Sequence, residues 1–352
     1  MIKQGYTILP VDINDDRNFV IELWNDNFPD SSGFDYKYQW LYQSNIYPGT
    51  FIYFLLHDDS QEKIGAQGVS GRIFEYNGEK LAVGLIGDFA VNSHHRSLWP
   101  AMKLLKSTLK KSVGENDFII SYPNLNALPV VKRAGYKLHM DVNRYVKINK
   151  INSYLKKRIP AILAMFIAPL IDFIIITADT IKYIKYSQNI EYEFCNSISK
   201  DVDELWETSI FKNNCLIQER IKKYIDWRMD GEENLTTRFF VIKNKSDQSM
   251  LGYISYYYIE ETNSILIVDF FAKDKENILK SLFSMFVYRI RCMDAVSISV
   301  EFIGTDDIDI AIKNSGFRKR DSRPMFYVFN EKRIETLSTK NWFLTSWDED
   351  AI

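Results

Sequence analysis

Apolar positions along this chain recur with two spacings, and each marks a kind of element. Phe19, Val20, Leu23 and Trp24 fall at i, i+1, i+4 and i+5, which is one face of a helix, so Asp15–Asn27 reads as helical. Phe34–Ser44 is a second amphipathic helix. Thr7–Val11 ahead of them reads as a short strand, and Phe51–His57 as a buried strand closed by the polar turn Asp58-Asp59-Ser60. Ile64–Glu75 and Glu79–Asn92 are long strands that meet at Tyr76-Asn77-Gly78, where Asn-Gly predicts a tight hairpin. A helix from just after Arg96 to about Val113, a strand at Phe118–Ser121, a helix at Ala127–Arg133 and a strand at Val142–Ile148 complete this half.

The same order then returns. Helices are predicted near Val202–Ile210 and Ile217–Met229, and strands at Phe239–Lys243, Leu251–Ile259 and Ser264–Ala272. A helix at Glu276–Arg291, a strand at Ala295–Val300, a helix at Ile308–Asn314 and a strand at Met325–Phe329 follow. Specific residues repeat with it. Leu23-Trp24 is answered by Leu205-Trp206, Gly87-Asp88-Phe89-Ala90-Val91 by Val268-Asp269-Phe270-Phe271-Ala272, and Arg133-Ala134-Gly135-Tyr136 by Asn314-Ser315-Gly316-Phe317. An offset of 181–182 positions holds at all three landmarks, which is how a duplicated domain shows in sequence. The pattern implies a first domain over 1–150, a connector over 151–190 and a second domain over 191–352. It gives no element to the tail, which is aromatic at Trp342-Phe343 and acidic at Asp348-Glu349-Asp350.

The connector departs from both spacings. Ile159–Ala178 is apolar almost throughout, broken only by Asp172 and Thr177, and is flanked by Lys156-Lys157-Arg158 and by Lys182 and Lys185. Three readings stay open: a helix buried between the domains, a bent helix lying on a membrane surface with its basic flanks on anionic lipid, or a transmembrane helix. Pro160, Pro169 and Asp172 weigh against a straight span.

Composition narrows the partners. The 352 residues suffice for two domains with cores of their own, and 46% apolar with 26% charged residues is a globular balance. A net charge of −2 offers no general attraction for nucleic acid, so none is expected as a partner. Cys195, Cys215 and Cys292 follow no metal-ligand or disulfide spacing, so reduced thiols and no metal are expected. Met1–Val20 carries Asp12, Asp15 and Asp16 and lacks an apolar core, so it is no secretory signal. The expected location is cytoplasmic, at the inner face of the membrane if residues 159–178 lie on lipid.

The chemistry gathers at two stretches of the first half. Val91-Asn92-Ser93-His94-His95-Arg96-Ser97-Leu98-Trp99-Pro100-Ala101 passes from a strand into a helix, and Asn124-x-x-Ala127 with Gly135-Tyr136 follows the next strand. With the element order, these resemble the GNAT (Gcn5-related N-acetyltransferase) fold. The resemblance implies an α+β architecture of two tandem GNAT-like domains, each a mixed, mostly antiparallel sheet flanked by helices. In that family a Gln/Arg-x-x-Gly-x-Gly/Ala loop cradles the pyrophosphate of coenzyme A with free N–H groups and the positive end of a helix. Arg96 and Ala101 match it, whereas Trp99 and Pro100 stand where the family has a glycine and a donor. The resemblance thus implies an acyl-CoA site, for acetyl-CoA or another acyl-CoA, at Val91, Arg96, Ser97, Leu98, Trp99, Ala101 and Asn124. Asn124 has an equally simple reading as the cap of the next helix.

Asp88, beside the implied acceptor site, is the candidate base, and His95 is a second. Asp88 also has a structural reading, since Asp269 repeats it in a half with no glycine loop: Lys273-Asp274-Lys275-Glu276 offers no phosphate cradle. Val131 replaces the family's proton-donating tyrosine, and Tyr122 is the candidate in its place. Arg96-Ser97-Leu98-Trp99-Pro100-Ala101 and Trp227-Arg228 resemble tandem-GNAT proteins of bacterial cell-surface polysaccharide biosynthesis. That implies acyl transfer to a small-molecule or lipid-linked sugar by direct attack on the thioester. Two other readings stand beside it: a Fem-type aminoacyl-tRNA-dependent transferase, and a non-catalytic double-GNAT binding module.

Overall fold

The Asn77-Gly78 hairpin sets the frame. Asn77 and Gly78 have φ of 50° and 85°, the left-handed pair that a two-residue hairpin needs, and the flanking strands β3 (Glu62–Tyr76) and β4 (Glu79–Val91) pair antiparallel from Tyr76↔Glu79 to Gly65↔Val91. In this computed structural model, residues 5–28, 33–124, 126–231, 235–293, 295–329 and 341–350 are described. The first half adds β1 (Tyr6–Pro10), β2 (Phe51–His57), β5 (Phe118–Ser121) and β6 (Lys137–Ile148), with helices α1 (Arg17–Asn27), α2 (Phe34–Tyr38), α3 (Leu98–Glu115) and α4 (Leu128–Arg133). A π-helical turn continues α2 through Gln39–Gln43, within the helix predicted over Phe34–Ser44.

After a short α5 (Asn152–Leu155) comes the long helix α6 (Ala161–Tyr186). The second half runs β7 (Ile190–Cys195), α7 (Asp201–Thr208), β8 (Cys215–Gln218), α8 (Lys222–Met229), β9 (Arg238–Asn244), β10 (Met250–Ile259), β11 (Ser264–Ala272), α9 (Asn277–Ile290), β12 (Ser297–Ile303), α10 (Asp306–Asn314), β13 (Arg318–Phe329) and β14 (Asn341–Thr345). The helix predicted over Ile217–Met229 is divided: Cys215–Gln218 is a strand, and only Lys222–Met229 is helical. All four residues of β8 are buried, and a short apolar run of that kind carries no period to tell strand from helix.

One mixed, mostly antiparallel sheet of 14 strands, flanked by helices, crosses both halves in the order β1-β2-β3-β4-β5-β13-β6-β12-β11-β10-β9-β7. The last strands of the two halves are exchanged. β13 pairs β5 through Tyr327↔Ser121, while β6 pairs β12 through Ser297↔Ile148, and β6 and β13 pair each other. Each half contains a parallel pair joined by a crossover helix, β4–β5 through α3 and β11–β12 through α9, and β8 and β14 also pair parallel. The repeated tryptophans sit at matching places: Trp24 and Trp206 are fully buried, the first against Phe34, Tyr38 and Tyr42 and the second against Phe271.

The halves also meet through side chains. Trp40 packs on Trp227 with centroids 4.8 Å apart and donates from Nε1 to its carbonyl at 2.7 Å, and Tyr47 donates to Glu219 at 2.6 Å. The tail closes this junction. β14 pairs both β8 and β12, and the buried Asp348 beyond it accepts two hydrogen bonds from Arg220, at 2.9 and 2.6 Å.

Candidate functional site

Parallel pairing of β4 with β5 stops at Ile86↔Ser121, and a cleft opens where the two strands part. A bulge in β4 helps to open it: Ala66 pairs Ala90 and Gly68 pairs Gly87, so Asp88 and Phe89 face a single residue of β3. Asp88 stands at φ 50°, a left-handed conformation that aspartate tolerates better than most side chains. The inner part of the cleft, about 340 Å³, is lined by Asp88, Lys37, Asp350, Phe34, Gln67 and Tyr122. The outer part, about 630 Å³, is lined by Val91, Arg96, Ser97, Leu98, Ala101 and Arg133. Phe28, Phe89, Asn124, Ala127 and Val130 line both, so the two are continuous.

Four groups meet at the inner end. Asp88, with a side chain only 6% exposed, accepts from Lys37 Nζ at 2.6 Å on Oδ1 and from the Tyr42 hydroxyl at 2.7 Å on Oδ2. Asp350 Oδ2 lies 3.8 Å from the same ammonium. Burial lifts the Asp88 pKa above the usual carboxylate value, and Lys37 offsets only part of that. Burial pulls Lys37 down, but Asp88 and Asp350 more than reverse it and leave Lys37 above its ordinary value. Burial likewise raises the Tyr42 phenol well above its ordinary value, with Asp88 adding to the effect, so Tyr42 remains a donor. Two glycines make room for this arrangement. A Cβ at Gly68 would lie 2.0 Å from the Tyr42 hydroxyl, and one at Gly87 would lie 2.0 Å from Asp350 Oδ2.

Lys37, Tyr42 and Asp350 were not among the residues singled out from sequence. For the first two there was a signal. Phe34, Lys37, Tyr38, Leu41 and Tyr42 share one helical face, and a lysine on a face otherwise buried needs a partner there. Asp350 had none, because the tail has no counterpart in the first half.

The outer end is the start of α3. Ser97 makes no side-chain cap, so the first-turn N–H groups of this 18-residue helix face outward unmet by it. Trp99, in the family's glycine slot, is 61% exposed and does not line the cleft, while the neighbouring Pro100 and Ala101 are buried. The indole therefore leaves the path of a ligand open. Arg96 donates from Nε to the Val91 carbonyl at 3.1 Å and from Nη2 to Asn27 Oδ1 at 2.8 Å, which fixes the loop against α1. Asn124 accepts from the Ala127 N–H at 2.9 Å and so caps the turn into α4 while lining the cleft.

Of the candidate catalytic groups, Asp88 and Tyr122 share the inner cavity, whereas His95 lies outside both parts of the cleft. Its ring is 4.8 Å from that of His57, and its Nδ1 is 3.5 Å from the Tyr6 hydroxyl. Burial and the nearby His57 hold its pKa below the ordinary histidine value.

The second half repeats the carboxylate in a fully buried setting. Asp269 is fully buried and accepts from Arg220, from Tyr253 at 2.7 Å and from Thr345 at 2.7 Å. Asp348 completes that cluster as Asp350 completes the first, and both Asp269 and Asp348 are without solvent exposure. It is a structural ion cluster.

No protein-family model matches this sequence, and no curated protein matches it either. Solved structures do match in fold. A probable N-acyltransferase from Enterococcus faecalis V583 superposes with a TM-score of 0.64 at 11% identity, over 92% of this chain and 72% of that one. A GCN5-related N-acetyltransferase from Anabaena variabilis ATCC 29413 gives 0.64 at 12% identity, over 92% and 72%. A tandem GNAT protein from the clavulanic acid biosynthesis pathway gives 0.51 at 11% identity, over 92% and 98%. The fold is therefore that of tandem GNAT proteins, as the element order and loop motifs implied.

Proposed function

We propose that the first half is an acyl-CoA-dependent N- or O-acyltransferase in which the acceptor attacks the thioester directly. The observation that carries this reading is the continuous cleft between β4 and β5, with a helix N-terminus and Arg96 at one end and the buried carboxylate of Asp88 at the other. The residues present fit an acyl-CoA. Arg96, Arg133 and the first turn of α3 would hold its phosphates, and Phe28, Phe89, Ala127 and Val130 offer an apolar path inward. Bound there, it would supply an activated acyl carbonyl with a thiolate leaving group.

The protein's own part is proton handling and position. Asp88 takes the proton from the acceptor amine or hydroxyl onto a carboxylate oxygen, and its raised pKa suits a base working near neutrality. Lys37 and Tyr42 hold that carboxylate in place, and Asp350 gives an incoming cationic amine a second partner. Tyr122, just past the end of β5, lines the same cavity and is placed to return a proton. A pair of carboxylates around one lysine favours an amine acceptor, and an amino sugar, free or lipid-linked, as in cell-surface polysaccharide biosynthesis, is the acceptor class we assign. The test is release of free coenzyme A thiol from acetyl-CoA with a panel of amino sugars, for the intact protein and Asp88→Asn. Acceptor-dependent release that Asp88→Asn abolishes supports the reading. Cofactor binding without release by any acceptor would make the cleft a binding site only.

A further inference from the structure

We infer that α6 is a membrane-surface anchor that seats this protein on anionic lipid, with the helix lying in the interface rather than crossing it. Among the described residues α6 is the one helix long and apolar enough to cross a bilayer, yet the fold leaves most of it uncovered. Ile162, Phe166 and Phe173 are 72%, 71% and 66% exposed, and Leu163, Met165, Leu170, Ile174, Ile181 and Ile184 are exposed with them. Scattered apolar residues on a surface are ordinary, but a contiguous face over six helical turns marks a binding surface.

The rest of the helix shows how it would sit. Its protein-facing seam follows helical spacing through Ala164, Ala168, Asp172 and Asp179. Asp172 accepts from the Ile151 N–H at 3.0 Å, and Asp179 pairs with Lys147 at 3.1 Å and with Arg291. Tyr183 stacks on Tyr288 of α9 at 4.3 Å, beneath the Arg289 guanidinium at 4.7 Å. A helix tied to a charged protein surface at its middle and at its C-terminal end cannot stand across a bilayer, but it can lie along one.

Charge selects the occupant. Lys156, Lys157 and Arg158 are exposed before the helix, and Lys182 and Lys185 lie in its last turns. Anionic headgroups would complement both clusters. A second copy of the chain would not, since parallel or antiparallel pairing of two α6 helices sets basic cluster against basic cluster. This inference rests on α6 and its flanks alone and is independent of the acyl-transfer reading.

The test is flotation of the full chain with phosphatidylcholine vesicles, with and without phosphatidylglycerol, beside the double variant Phe166→Asp/Phe173→Asp. Both side chains are exposed, so the variant should keep the native melting temperature. Should it melt early, the flank variant Lys156→Gln/Lys157→Gln/Arg158→Gln serves instead. The expected result is flotation that phosphatidylglycerol strengthens, that salt weakens, and that either variant reduces by roughly tenfold. Failure to float on either vesicle would overturn the inference. So would a sedimentation profile showing a dimer that the Phe variant converts to monomer without any vesicle binding, because α6 would then be a self-association face.

Discussion

Lys37 Nζ lies 2.6 Å from Asp88 Oδ1, at the closed end of the cleft and between two carboxylates. Lys37 restrains Asp88 without cancelling the effect of burial, so Asp88 titrates above the usual carboxylate value of about 4. An acyl transfer that needs Asp88 unprotonated must lose rate as pH falls through that raised value. The acid limb of kcat/KM is therefore expected above pH 4. Asp88→Asn should lower kcat by roughly 10²-fold or more and remove the limb. A residual activity in the variant with the same limb would assign it to another group.

Asp350 reaches this site from the far end of the sequence, against Gly87. If it serves the acceptor, Asp350→Ala should raise the KM for a cationic amine by several-fold while leaving acetyl-CoA affinity within experimental scatter. Steady-state kinetics against both substrates would show it. An effect on acetyl-CoA alone would contradict that assignment.

The matching cluster in the second half predicts a stability effect. Arg220 is fully buried between Asp269 and Asp348, and removing it leaves two carboxylates with no counter-charge. Arg220→Met is expected to cost about 3–5 kcal/mol in urea unfolding at neutral pH. Burial already holds the folded-state pKa of Asp269 above its unfolded value, and losing Arg220 would raise it further. The folded variant would then bind more protons than the unfolded chain, so its stability should recover as pH falls toward that of free carboxylates. A deficit that is constant with pH would contradict this.

Burial pushes the Cys215 thiol up to about 11, whereas Cys292 is exposed. A thiol reagent at neutral pH should label Cys292 promptly and Cys215 only on unfolding, because the thiolate is the reactive form. Prompt labelling of Cys215, located by mass spectrometry, would mean that the β8 region opens in the native state.

Much of the fold was legible because each local signal agreed with the duplicated order. Asn77-Gly78 gave its hairpin, and Trp24 and Trp206 marked buried helix faces in both halves. The strand β7 went unread: three of its six positions are intermediate in burial, two are exposed and one is buried, so neither period shows. The β6–β13 exchange was not legible either, since it depends on pairing between residues far apart, and nothing in either strand records its neighbour. At the site, Asp88, Tyr122, Arg96 and Asn124 were found because they stand in motifs, and all four line the cleft. His95 stood in the same loop, but the turn directs it to His57 and Tyr6. Motif spacing places a backbone and does not say which way each side chain turns.

The central claim is that Trp99 leaves an acyl-CoA path open beside Ala101. Calorimetric titration of acetyl-CoA into the intact protein, Trp99→Ala and Ala101→Trp tests it most directly. Binding in the micromolar range is expected for the intact protein, nearly unchanged in Trp99→Ala, since that indole is 61% exposed and outside the cleft. Ala101→Trp, which fills the cleft, should weaken it by at least tenfold, about 1.4 kcal/mol. No heat from the intact protein at millimolar acetyl-CoA, or a loss confined to Trp99→Ala, would contradict the account.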